Sequence, residues 1–69
     1  MEITHPVLLE FQTELDKVKD RTELTKLEQF GLHFMYKRCQ EISRIFCEVR
    51  EESEEMEQRI YHVMARLYP

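Results

Sequence analysis

The chain has 69 residues, 42% of them hydrophobic and 35% charged, which bounds it to one small globular domain rather than a disordered or multidomain protein. Its formal net charge of −4 disfavours nucleic acid and anionic membranes, both of which need faces rich in Lys and Arg. No run approaches the roughly 20 apolar residues of a membrane span, and no basic start leads into the apolar core of a signal peptide.

One Gly and two Pro are very few, and Pro6 and Pro69 lie near the ends, so few, long helices are expected. Residues 1–69 therefore read as a single all-helical interaction module. Helix 1 is predicted over about 5–20, with Thr4 as N-cap and Pro6 in the first turn, where its missing N–H costs nothing. Leu8, Phe11, Leu15 and Val18 recur at steps of three and four and form one stripe, broadened by Val7 and Leu9. Asp20 with Glu23 reads as a capping box and Thr22 as a simpler cap, which places a tight turn at 19–22.

A second helix is predicted over about 23–67. Leu32, Met35, Cys39, Ile42, Phe46, Val49, Ser53, Met56, Ile60, Val63 and Leu67 follow alternating steps of three and four. That register suits a coiled-coil seam; an ordinary amphipathic bundle helix is the alternative. A neighbouring stripe, Leu24, Leu27, Gly31 and Phe34, with Phe30 beside it, is assigned to packing against helix 1. Gly31 costs a helix about 1 kcal/mol relative to Ala, and close approach of a neighbouring helix explains it better than a break.

Ser53 is the weak point of the long helix. The run "SEEM" looks like an N-cap followed by acids in a first turn, but the register passes through without a skip and neither Gly nor Pro is near. Pairs at i,i+4 also bridge the region: Arg44 with Glu48, Arg50 with Glu54, Glu55 with Arg59. A continuous helix is therefore expected, with a break near Ser53 as the alternative. Its length would be about 68 Å, and helix 1 would cover only its first part. The seam beyond Ile42 would then need a second chain, since each large exposed side chain forfeits about 1.5–3 kcal/mol.

Motifs for chemistry are absent. His5, His33 and His62 lack the paired spacings of metal sites, no catalytic constellation or phosphate loop is present, and no metal or cofactor is expected. Cys39 and Cys47, eight residues apart on one helix, are too far apart to bridge, so reduced thiols and a cytoplasmic location are expected. Cys39 reads as a buried hydrophobe, or meets its own copy in a parallel dimer; Cys47 lies off the seam. Glu48, Glu51, Glu52, Glu54 and Glu55, with Glu57, form an acidic face that is either a docking surface or a solvated flank. Tyr36, Tyr61 and Tyr68 flank the seam, and Met35, Met56 and Met64 lie on or beside it, as adaptable contact residues or as packing.

The expected fold is all-α: a hairpin of a short and a long helix, dimerising as a helical bundle and coiled coil. The expected function is non-enzymatic, that of a small dimeric adaptor, regulator or assembly factor acting through the seam and the acidic face. A homodimer or another helical protein is the expected partner, with no role for nucleic acid or membrane. The alternative is a chaperone-like protein capping an amphipathic helix of a partner, such as a secretion or assembly subunit.

Overall fold

A computed structural model describes residues 2–67; Met1, Tyr68 and Pro69 lie outside the described residues. The described residues are all-helical, with three α-helices among them: α1 (Pro6–Val18), α2 (Lys26–Ile45) and α3 (Arg50–Leu67). A single 3-10 turn, Cys47–Val49, joins α2 to α3. Among the described residues no helix is long and apolar enough to cross a membrane.

The continuous second helix is not observed. Helix α2 stops at Ile45, Phe46 leaves it in an extended conformation (φ −117°, ψ 92°), and α3 folds back along α2. The longest dimension is 34 Å and the radius of gyration 11.6 Å, near the value of about 11 Å for a compact domain of this length and far from a 68 Å rod. The break comes at Phe46, seven residues before Ser53, and uses no glycine; no described residue has positive φ. Ser53 lies inside α3, fully buried, with its Oγ 2.6 Å from Ser43 Oγ and donating to Arg50 O at 3.0 Å.

Folding back explains the unbroken register. Leu32, Met35, Cys39 and Ile42 of α2 and Met56, Ile60 and Val63 of α3 are all buried in one core. The strip assigned to a second polypeptide is shielded by its own chain. Burying those side chains stabilises the monomer by the same area term that an intermolecular seam would have supplied. Phe46, at the turn, is half exposed, while Val49 and Leu67 pack at the edge of the core. Cys39, with no exposed surface, is not placed to meet a second copy.

Helix α1 lies against both other helices. Leu8, Leu15 and Val18 are buried in the shared core and Phe11 packs at its margin. Pro6 occupies the first turn, but the cap is His5 rather than Thr4: the Val7 N–H donates to His5 Nδ1 at 3.3 Å. Thr4 instead donates through its backbone N–H and its hydroxyl to the Glu52 carboxylate, which also accepts the His5 N–H at 3.0 Å. Farther along, Arg59 Nη1 donates to Gln12 Oε1 at 2.7 Å.

The α1–α2 linker is longer than expected. Helix α2 begins after Thr25, whose hydroxyl accepts the Glu28 N–H at 3.1 Å while the Glu28 carboxylate accepts the Thr25 N–H at 2.9 Å. The reciprocal box is thus Thr25 with Glu28, not Asp20 with Glu23. Linker carbonyls are satisfied from outside: Arg66 donates to the carbonyl oxygens of Lys19 and Arg21. Those contacts link residues 19–21 to α3.

Candidate interaction surface

With α3 occupying one side of α2, α1 settles over the seam formed by the pair. The stripe assigned to hairpin packing is therefore only partly used. Leu24 packs at the core margin, but Leu27 is 80% and Phe34 61% exposed, and Phe30 beside them is 70% exposed. Residues seven apart, Leu27 and Phe34 lie two turns from each other on one line, with Phe30 and Gly31 flanking it between them. A Cβ placed on Gly31 meets nothing within 4 Å, so no helix of this chain accounts for the glycine.

Beside this line an open groove of about 680 Å³ runs between α1 and α2. Gly31, Leu27, Phe34 and Met35 line its α2 side; Phe11 and Val18 line its α1 side. Three carboxylates stand at its edge, those of Glu10, Glu14 and Glu28. Glu14 is paired with Lys17 at 3.1 Å and Glu28 with Arg21, both pairs partly solvated and each worth little on its own. The Thr25 backbone N–H, followed by the nearby Arg21 charge, holds the Glu28 carboxyl below the usual carboxylate range.

The acidic face does not act as one surface. Glu52 is turned onto the N-terminal segment, and hydrogen bonds from the Thr4 and His5 backbone and the Thr4 hydroxyl hold its carboxyl below the usual range. Glu55 pairs with Arg59 at 3.0 Å, as the i,i+4 spacing predicts, and Glu57 accepts from Gln40 Nε2 at 3.0 Å. Glu48, Glu51 and Glu54 are exposed, and the first two, with Glu2, border a second open pocket beside the turn.

For covalent chemistry the thiols differ. Burial, with a smaller push from the Glu57 charge, raises the Cys39 thiol to about 12, which removes it as a thiolate nucleophile near neutral pH. Cys47 is exposed at the turn. Among the described residues no group of three or more His, Cys, Asp or Glu is placed to hold a metal ion. Tyr36 and Tyr61 meet across α2 and α3 with ring centroids 6.5 Å apart, an internal contact in which Tyr61 keeps one solvated side.

Sequence reasoning missed several ties. Phe30 lies beside the packing stripe by spacing, and spacing does not separate a packed face from the exposed one observed. Gln12, Arg59 and Arg66 link helices through single polar contacts, which leave no periodic signature. No family model matches the chain, and neither does any curated protein or solved structure.

Proposed function

We propose that this chain is a non-enzymatic protein–protein interaction module, a small cytoplasmic adaptor, regulator or assembly factor whose contact surface is the outer face of α2. The observation that carries this reading is the exposure of Leu27, Phe30 and Phe34 on one helix face beside the α1–α2 groove. Scattered exposed apolar residues are ordinary, but two phenylalanines and a leucine on adjoining turns form a patch of the kind that marks recognition sites. Large aromatic side chains also dominate the energetics of protein interfaces. Association between helical chains is thereby moved from the Leu32–Leu67 register, which the chain uses for its own core, to this face.

The chaperone-like reading uses the same face. A groove between two helices, apolar at its floor and acidic at its edge, suits the apolar side of an amphipathic helix with basic flanks. Site-specific photocrosslinking tests the common element. A benzophenone amino acid at position 30, introduced in the native host, is expected to give an adduct of defined mass, whether with another protein or with a second copy. Phe34→Asp in the same chain is expected to remove it. Absence of any discrete adduct at position 30, with adducts instead at surface positions such as 54, would refute the proposed surface.

A further inference from the structure

We infer that the reversal at Phe46 is a hinge, and that two copies of this chain exchange α3 by straightening it, each α3 packing on the α1 and α2 of the other copy. Two features of the reversal carry this. The first is how little the turn contains. Helix α2 ends at Ile45, Cys47–Val49 form a 3-10 turn, and Arg50 is already in the α-helical region (φ −56°, ψ −47°). The dihedrals of a 3-10 turn lie close to those of an α-helix, so Phe46 carries the large departure by itself (φ −117°, ψ 92°). None of residues 46–49 is Gly or Pro, none has positive φ, and no side chain caps the turn. Rotation at Phe46, with small adjustments in the 3-10 turn, joins α2 and α3 into one helix without meeting a helix breaker.

The second feature is register. A reversal has no use for the spacing of a helical seam, yet Ile42, Phe46, Val49 and Ser53 follow steps of four, three and four straight through it. In the folded-back chain the turn leaves Phe46 48% exposed and Ile45 beside it 66%. The observed α2–α3 contacts give the register of a straightened pair. Ser43 meets Ser53, Gln40 donates to Glu57, and the Tyr36 ring lies near that of Tyr61. All three pairs are centred at Glu48 or between Glu48 and Val49. Two straight α2–α3 helices, antiparallel about a two-fold axis at that point, remake all three contacts between copies. Phe46 of each copy then comes level with Val49 and Arg50 of the other, and the side chain left half exposed by the turn gains apolar cover from Val49.

The core is the same in both forms. Leu32, Met35, Cys39 and Ile42 share it with Met56, Ile60 and Val63, and exchange changes only which copy supplies the last three. The ties of α1 to α3 through Glu52 and Arg59 are likewise remade between copies. Exchange therefore trades a turn for a straight segment plus an association step, and chain concentration sets the balance. One consequence rests on the interaction reading above. Phe30 lies 18 residues before the axis at Glu48, so the exchanged dimer presents its two outer α2 faces about 54 Å apart. A binder with one contact face becomes bivalent.

The test separates exchange from any other pairing. Chain unfolded in urea and refolded at sub-millimolar concentration is expected to yield, beside the monomer, a species of twice the 8.5 kDa chain mass by size exclusion with light scattering. That species is expected to dissociate slowly on dilution, because α3 must leave its core first. In a Cys47→Ser chain carrying Ser43→Cys and Ser53→Cys, whose parent Oγ atoms are 2.6 Å apart, oxidation is expected to bridge the monomer within the chain and the dimer between chains. The dimer fraction then runs as a covalent dimer without reductant. Cys47→Pro, in the otherwise unchanged chain, holds Phe46 out of the helical region and bars a continuous helix. It is expected to keep the helicity of the monomer by circular dichroism and to weaken dimerisation at least about tenfold. A wild type that refolds only to monomer, a dimer whose bridges all lie within chains, or a Cys47→Pro chain that dimerises as readily as wild type overturns the inference. None of these outcomes touches the crosslink expected at position 30, so exchange and the interaction surface fail separately.

Discussion

Ser43 and Ser53 face each other across the α2–α3 turn with their Oγ atoms 2.6 Å apart, and Ser53 also bonds back to Arg50 O. Ser53 has no exposed surface, so its hydroxyl must be satisfied internally, and these two contacts do that. The pair fixes how α3 lies on α2 immediately after the reversal. A double-mutant cycle with Ser43→Ala and Ser53→Ala is expected to give a coupling energy of about 0.5–1.5 kcal/mol in urea unfolding. Additive single effects would mean that the hydroxyls do not act on each other.

The start of α2 offers a sharper stability test. Thr25 and Glu28 satisfy each other's backbone N–H groups, and the next upstream acid, Glu23, takes no part in the box. Thr25→Ala is expected to cost about 1 kcal/mol, within the usual range for loss of a helix cap. Asp20→Ala, at the position where sequence spacing also suggests a cap, is expected to change stability by less than about 0.5 kcal/mol. Urea midpoints for the two variants, compared at equal m-values, check the contrast.

The helical class, the apolar positions of both long stripes and the Glu55–Arg59 pair were readable from the sequence because each repeats with the helical period. The reversal at Phe46 was not. A seam of alternating threes and fours looks the same whether its second half meets another chain or folds back on its own first half. The turn also uses neither Gly nor Pro, so nothing in composition announces it. The α2 start was misplaced although Thr25-Lys-Leu-Glu28 carries the full capping-box pattern. Asp20 and Thr22 offered the same chemistry slightly earlier, and spacing alone does not separate them from Thr25, whose box with Glu28 is the one formed. The outer face of α2 was assigned to α1 because a helix 1 folded back as a hairpin covers the first part of a long second helix. Once α3 covers one flank of α2, α1 gains more by lying across both helices, and Leu27 and Phe34 are left in solvent.

Glu52 makes the N-terminal segment sensitive to acid. Its carboxylate accepts from the Thr4 and His5 backbone and from the Thr4 hydroxyl, and these bonds hold its folded pKa below the ordinary value. A depressed carboxylate contributes stability that is complete above the unfolded-chain value of about 4.3 and is lost as pH falls from there through the folded value. Glu52→Gln is therefore expected to lower the melting temperature at neutral pH and to flatten its decline in acid. Parallel acid profiles for wild type and variant would show that this carboxylate does not carry the effect.

The two thiols are expected to titrate as separate classes. Cys47 is exposed at the turn, whereas Cys39 has no exposed surface and its thiol is pushed up to about 12. A thiol reagent at mildly alkaline pH is expected to label one cysteine per chain promptly and the second only at the rate of unfolding. Mass spectrometry of the modified chain would place the fast label on Cys47. Rapid labelling of both, without loss of helicity, would contradict the placement of Cys39 in the core.

Phe46 and Ile60 belong to the same three-four register, yet the fold assigns them opposite consequences. Ile60 is completely buried in the shared core, while Phe46 is 48% exposed where the chain reverses. Ile60→Ala is expected to cost about 2–5 kcal/mol, through lost apolar transfer and the cavity left behind. That is a large share of the stability of a domain this small, so Ile60→Asp is expected to leave the chain unfolded. Phe46→Asp forfeits only part of one side chain's burial, although its carboxylate falls at the C-cap of α2, where the helix dipole disfavours it. It is expected to keep the fold and lower stability by about 1–2 kcal/mol. Circular dichroism melts of the two aspartate variants separate this arrangement from a seam shared between chains. In a shared seam both substitutions would act alike, dissociating the assembly and with it the helicity; loss of structure in Phe46→Asp comparable to that in Ile60→Asp would point back to that seam.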